Sequence, residues 1–296
     1  MKKLVYTTLI ATLAFGFEFD MDSKNGAFEN VKTLMPSSNI TLKLENSNPI
    51  TGADYDESKK QFALVSLENE FYVADESLNP LRYAKHDKHF MLELEKTVGA
   101  TWYKGAVGMI SYNKSFVFYE PVDGLSKEEQ NDQWRHMLAG WDKFKMIDDG
   151  KGRFSTLRAK QQFILGWDYD EKSNKFVTAS VPNDVRPGWS MAVFDGDDKM
   201  ILEEYVPGVS ESLKLKDDRD ISSYYITGMD LQGDDLYLLS KNYSSILKLN
   251  LKTRQIEDVV GFDNVANPRA LAIKDGKFYI FAREGQENKV YIFDMK

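Results

Sequence analysis

The sequence predicts an all-β protein, a β-propeller of five blades closed by a strand near the N-terminus. Three observations predict it: a short strand motif opening on a small residue recurs five times, two further strand-like runs follow each copy, and the copies are anchored at positions 52, 99, 166, 228 and 270. Intervals near or above about 40 to 50 residues, with three or four strands in each, are the period of propeller blades.

The first strands are Thr51-Gly52-Ala53-Asp54-Tyr55-Asp56, Val98-Gly99-Ala100-Thr101-Trp102-Tyr103, Leu165-Gly166-Trp167-Asp168-Tyr169-Asp170, Thr227-Gly228-Met229-Asp230-Leu231-Gln232 and Arg269-Ala270-Leu271-Ala272-Ile273-Lys274. A small residue leads each, where strands at the centre of a ring crowd together. Second strands follow a polar turn and end mostly in serine: Gln61 to Ser66, Val107 to Ser111, Lys175 to Ser180, Leu236 to Ser240 and Lys277 to Ala282. Third strands are Glu70 to Ala74, Ser115 to Tyr119, Ser190 to Phe194, Ile246 to Asn250 and Lys289 to Phe293, alternating or aromatic-rich and bounded by turn residues.

The last unit stops after its third strand, while Asn39 to Leu44 is a strand without a unit. That strand is therefore expected to complete the last blade. Five copies give five blades, with six as the alternative count. The long second interval holds polar Asp123 to Asp132 and then Trp134 to Leu138, read as an inserted loop and short helix over about residues 123–141 rather than another blade. Helical solenoids are excluded by the lack of a sustained 3.6-residue period, and a parallel β/α fold by the absence of helices between strands.

Met1-Lys2-Lys3 and the apolar run Leu4 to Phe17, followed by Glu18 and Asp20, have the build of a secretory signal, with Ala14 and Gly16 at the −3 and −1 positions of a cleavage site. Residues 1–16 are thus expected to be a signal peptide, with a short membrane anchor as the alternative, and residues 17–296 a single propeller domain. No other segment has the length and hydropathy to span a bilayer. The location expected is periplasmic or otherwise extracytoplasmic. With 38 Lys and Arg against 46 Asp and Glu, the net charge of −8 argues against nucleic acid as a partner. Zero Cys removes thiol catalysis, thiolate metal sites and disulfides.

The acidic pairs Asp54/Asp56 and Asp168/Asp170, with Asp230 at the matching first-strand position, raise calcium as an alternative. The preferred reading gives them no metal: they precede or enter the turns Asp56-Glu57-Ser58-Lys59, Asp170-Glu171-Lys172-Ser173 and Gly233-Asp234-Asp235, where Asp is expected for backbone reasons alone. His86 and His89 lie three apart, on opposite faces of a strand, and do not read as a metal pair. Neither a Gly-x-Ser-x-Gly elbow nor a phosphate loop is present.

Folding the repeat onto a ring gathers one set of loops on one face: those between second and third strands and those entering each first strand. They carry Lys114, Arg158, Lys160, Lys241, Tyr243, Arg269 and Arg283, a basic rim around the channel mouth with Trp102 and Trp167 on the innermost strands beside it. First-hairpin turns on the other face carry Asp56, Glu57, Asp170, Glu171, Asp234, Asp235 and Asp275. Such a rim focuses an anionic ligand or partner. Ordinary solvated loops, with both tryptophans packed between blades, are the plainer reading of the same residues.

The stretches Thr156 to Leu165, Tyr169-Asp170-Glu171-Lys172, Val181-Pro182-Asn183, Leu238 to Ser245 and Asn267 to Ile273 resemble the periplasmic propeller attached to some bacterial DsbB-type membrane disulfide oxidoreductases. The likeness covers roughly residues 50–296. That family places a multi-helix membrane domain with redox cysteines ahead of its propeller, and this chain has one short apolar segment and no Cys. The resemblance implies an extracytoplasmic propeller working beside a separate membrane oxidoreductase, and it brings no catalytic residue with it. The function expected is a non-catalytic binding or scaffold module for a protein partner, without a cofactor. The alternative is a propeller hydrolase or lactonase using channel calcium, and a third reading is capture of a small anion at the channel mouth.

Overall fold

In the computed structural model, residues 26–86, 94, 96–133, 137–139, 141–147, 155–182, 188–217 and 219–295 are described. The expected signal or anchor at residues 1–16 lies outside them, as do His89 and the stretch Trp134 to His136.

Two short strands open the described chain, β1 (Lys32–Leu34) and β2 (Ser38–Thr41), and both join blades made much later in the sequence. Blade one is β3 (Ile50–Asp56), β4 (Gln61–Ser66), β5 (Glu70–Asp75) and β6 (Pro80–His86). Blade two holds β7 (Thr97–Tyr103), β8 (Ala106–Ser111) and β9 (Ser115–Pro121). Next comes α1 (Lys127–Gln133), whose first turn is closed by a capping box: Ser126 Oγ accepts the Glu129 amide at 3.2 Å while Glu129 accepts the Ser126 amide at 3.0 Å. The chain then returns to blade one as β10 (Met137–Ala139) on β6, and to blade two as β11 (Phe144–Met146) and β12 (Ser155–Thr156), both on β9. Helix α1 thus falls largely in the polar stretch expected to be loop, and Met137 and Leu138, expected to be helical, instead belong to a strand that extends a sheet.

Blade three is β13 (Ile164–Asp170), β14 (Lys175–Ser180), β15 (Met191–Asp195) and β16 (Ile201–Tyr205). After β17 (Gly208–Val209), blade four is β18 (Ile226–Gln232), β19 (Asp235–Ser240), β20 (Ser245–Asn250) and β21 (Gln255–Phe262), with β1 and β17 parallel to β21. Blade five is β22 (Pro268–Lys274), β23 (Lys277–Glu284) and β24 (Glu287–Asp294). Its fourth strand is β2, antiparallel to β24 with Ser38 opposite Ile292 and Thr41 opposite Lys289. The ring is thus closed by the N-terminal strand, and five sheets make five blades.

The apolar core is divided among the five seams between blades. The seam of blades two and three, for example, holds Tyr103, Phe118, Trp167 and Phe176 in mutual ring contact, with Trp167 stacked on Phe176 at 5.2 Å. At the axis, the small residues do what their spacing implied. A Cβ on Gly52 would lie 2.4 Å from the Ala100 amide nitrogen, and one on Gly228 would lie 2.7 Å from that of Leu271. Only about 10 Å³ of open space remains at this constriction.

Candidate functional site

Every inner strand carries a bulge at one place, between Ile50 and Gly52, Thr97 and Gly99, Ile164 and Gly166, Ile226 and Gly228, and Pro268 and Ala270. The extra residue stands out of the ladder at the mouth of the channel, since a bulge re-aims its side chain. In four blades it is Thr51, Val98, Leu165 or Thr227, and in blade five it is Arg269.

Around Arg269 the structure assembles part of the expected rim. Lys241 follows β19 in the neighbouring blade, where its amide donates to Tyr225 O at 3.1 Å, and Arg283 lies near the end of β23, its amide donating to Asn267 O at 3.2 Å. Burial lowers the pKa of Arg269, and the guanidinium of Arg283 lowers it further. Burial likewise lowers Lys241, with the Arg269 charge adding to it. Burial raises the Tyr225 phenol to about 12, and Arg269 opposes that shift. Three cations therefore crowd together, and no carboxylate hydrogen bond or ion pair to any of them is found among the described residues. Two of their nitrogens, Arg269 Nε and Arg283 Nη1, are buried without a hydrogen-bond partner, as is Thr227 Oγ1 at the bulge of blade four. Arg283 Nη2 donates to the neutral Gln286 Oε1 at 3.1 Å. A buried donor left unpaired costs about 1 to 3 kcal/mol, so the cluster is arranged for an acceptor group.

The other rim residues go elsewhere. Lys114 donates its ammonium to Ala159 O at 3.1 Å and Gln161 O at 2.6 Å, tying down the loop that enters blade three. Arg158 and Lys160 are on that loop and face a groove at the seam of blades two and three. Tyr243 is buried, its hydroxyl 2.6 Å from Ser223 and its ring against Tyr224. Both tryptophans also pack between blades: Trp167 as above, and Trp102 in the seam of blades one and two with Nε1 donating to Gln61 O at 3.2 Å. They contribute packing where the rim reading placed them beside a ligand.

Below the constriction, Asp54, Thr101, Asp168, Asp230 and Ala272 stand at one level of the five inner strands, two residues beyond the small ones. Each carboxylate reaches the next strand of the ring. Asp54 Oδ2 accepts the Trp102 amide at 2.6 Å, Asp168 Oδ2 the Leu231 amide at 2.7 Å, and Asp230 Oδ2 the Ile273 amide at 2.7 Å. Asp168 Oδ1 also accepts from Thr101 Oγ1 at 2.9 Å and from its neighbour's amide, that of Tyr169, at 2.7 Å. Desolvation pushes Asp54 up to about 6, and it raises Asp168 and Asp230 well above the usual carboxylate range, with the charge of Asp54 adding to both. These oxygens staple blade to blade, and among the described residues no group of three or more His, Cys, Asp and Glu is arranged to hold a metal ion. Thr101 was not singled out in the sequence, although it fills the aspartate column of the repeat.

Asp56 and Asp170 perform the turn chemistry expected of them. Asp56 Oδ1 accepts the Ser58 and Lys59 amides, and Asp170 Oδ1 that of Lys172. His86 is buried, with Nδ1 hydrogen-bonded to the Tyr119 hydroxyl in the outer part of the first seam.

Ring, bulges and seams together define a five-bladed β-propeller. No family model matches the chain. No curated protein matches it either. Among solved structures it is similar to the glutaminyl cyclase of Myxococcus xanthus, with a TM-score of 0.55 and 8% identity over 88% of this chain and 97% of that one. It is also similar to the Cps50 (Swd1) β-propeller domain of Myceliophteria thermophila, with a TM-score of 0.41 and 11% identity over 83% of this chain and 65% of that one. At 8% identity the likeness to the cyclase is one of fold alone.

Proposed function

We propose that this propeller is a non-catalytic binding module that captures an anionic group of a protein partner at its channel mouth. The observation that carries the reading is the pair of buried guanidinium nitrogens, Arg269 Nε and Arg283 Nη1, unpaired beside Lys241. A carboxylate or phosphate seated there would satisfy the donors and relieve the repulsion among three like charges, and charge-assisted hydrogen bonds are the stronger kind. The constriction just below prevents the ligand from entering the channel, which favours a group presented from outside by a larger molecule. Extracytoplasmic placement is supported by the Lys2-Lys3 start and the apolar run to Phe17. The likeness of the segments around Arg158, Lys241 and Arg269 to propellers of the DsbB type supports a membrane disulfide-generating protein as the partner.

Two measurements test this. Inorganic phosphate or citrate is expected to raise the thermal midpoint of the wild type in a saturable way and to leave Arg269→Gln unmoved, since binding to the native state alone stabilises it. Crosslinking and pull-down from native membranes is expected to recover the partner with wild type and lose it with the charge reversal Lys241→Glu/Arg283→Glu, in a salt-dependent manner. Equal recovery by both proteins, or equal anion stabilisation of Arg269→Gln, would overturn the assignment.

A further inference from the structure

Four of the six most exposed large hydrophobic side chains among the described residues lie on or beside one strand: Met200 at 54%, Ile201 at 36%, Leu202 at 52% and Val206 at 66%. That strand is β16, the outermost of blade three. Among the described residues no further strand pairs with it, whereas the outer strand of blade one carries β10 and that of blade four carries β1 and β17. The outer strand of blade five, β2, is also an edge, but its sequence is the polar Ser38-Asn39-Ile40-Thr41. Natural edge strands are usually blunted by charge, proline or cover. β16 has two such devices, the carboxylates of Glu203 and Glu204 and a bulge between Ile201 and Glu203 that disturbs its pairing with β15, but beyond the bulge the strand runs on regularly to Tyr205.

Beside β16 lies a groove of about 1050 Å³, walled on its other side by Thr156 to Lys160 of the loop leaving blade two. Its charges are unbalanced. Glu203 is paired with Arg254 of blade four, and Glu204 accepts the backbone amide of Lys160 at 3.0 Å. The side chains of Arg158 and Lys160 are exposed, with no carboxylate partner among the described residues. Tyr205 Oη, at the far end of the groove, is buried without a hydrogen-bond partner. Among the described residues, a backbone edge without a further strand, an apolar strip and two cations without a carboxylate partner thus share one groove.

We propose that β16 accepts an added strand from a partner protein, an extended acidic segment in which apolar residues alternate with carboxylates. Alternation sends successive side chains to opposite faces, so one face can cover Leu202 and Val206 while the other meets Arg158 and Lys160. Backbone pairing to the edge supplies the affinity, and the charges choose the sequence. The groove lies at the seam of blades two and three, so this site stands or falls independently of the cation cluster between blades four and five.

The test uses the full chain and a fluorescein-labelled octapeptide alternating valine and glutamate, with an alternating valine and lysine peptide beside it. Saturable anisotropy with the glutamate peptide is expected, weakened at least tenfold in Arg158→Glu/Lys160→Glu and in Leu202→Asp. Both variants change exposed residues, and an unchanged thermal midpoint confirms that they fold. Hydrogen exchange at residues 201–206 is expected to slow only when the peptide is added. Absence of binding, equal binding of the lysine peptide, or full binding by the variants would overturn the proposal. Slow exchange without peptide would mean that the chain's own residues cover the edge, and protection that grows with protein concentration would mean a second copy; either outcome also overturns it.

Discussion

The hydroxyl of Thr101 in blade two donates to a carboxylate oxygen of Asp168 in blade three at 2.9 Å, deep in the channel. Asp168 in turn reaches Leu231 in blade four, and Asp230 reaches Ile273 in blade five, so polar contacts run from inner strand to inner strand around the axis. The level is crowded with acids that resist ionisation.

Stability should respond to pH through this ring. Asp54 gives up its proton near 3.8 when unfolded and near 6 when native, so the native state binds more protons between these values. Its stabilising effect is complete below about pH 4 and is lost as pH rises through 6. Exposed carboxylates such as Asp234 and Asp275, held low by Lys252 and Lys274, work in the opposite direction, so the comparison must be internal. Asp54→Asn should gain on the wild type as pH rises from 4 to 7, by up to about 3 kcal/mol. Urea denaturation at several pH values measures it, and a constant difference would contradict the expectation.

Asp230→Ala removes the acceptor of the buried Ile273 amide and should cost about 1 to 3 kcal/mol. Asp230→Asn retains an acceptor oxygen and should cost less. Denaturant midpoints of the two variants, compared at one pH, would separate the hydrogen bond from the charge.

Gly228→Ala forces a Cβ to within 2.7 Å of the Leu271 amide nitrogen, which only movement of the neighbouring strand can relieve. A loss of about 2 kcal/mol or more is expected, within the range of overpacked cores. Gly233→Ala is the control: its φ is +66°, nothing lies within 4 Å of the new atom, and only the backbone preference of about 1 kcal/mol is lost. Equal losses at the two positions would refute the crowding.

Leu42 follows β2 and is buried against the closing seam with Ile50, Ala270 and Val290. Leu42→Ala should lower stability by about 2 to 4 kcal/mol without changing the denaturant slope if the ring unfolds as one unit. Removing residues 17–46, and with them β1 and β2, should abolish cooperative unfolding. A variant of that kind with an unaltered thermal transition would show that the ring needs no such closure.

The repeat was legible because propeller geometry imposes the same need on every unit. A residue without a bulky side chain is required at the axis, hence Gly52, Gly99, Gly166, Gly228 and Ala270, and the alternation of β-branched and aromatic residues marks the strands that follow. The closing strand was legible as a strand left over. Residues on loops were harder to place, because a loop side chain is aimed by its neighbours in the next blade. Lys114 and Lys241 follow corresponding second strands, yet one is bound by two carbonyls and the other stands beside Arg269. Tyr243 belongs to an aromatic pair that its own segment does not reveal. β10 was missed because Met137–Ala139 is too short to show a period of two, and β1 because its partner β21 is parallel and distant in sequence. Arg269 as the odd residue among five bulges becomes visible only when the units are aligned on their small residues.

The pairing of β2 with β24 also orders events in time. Ser37 and Ile292, whose hydroxyl and carbonyl meet at 3.0 Å, are 255 positions apart, so during synthesis the early strand waits, without its partner, until nearly all of the blades have been made. Through that interval the polar sequence of β2 has a use of its own: it gives a waiting strand little reason to stick to the wrong neighbour.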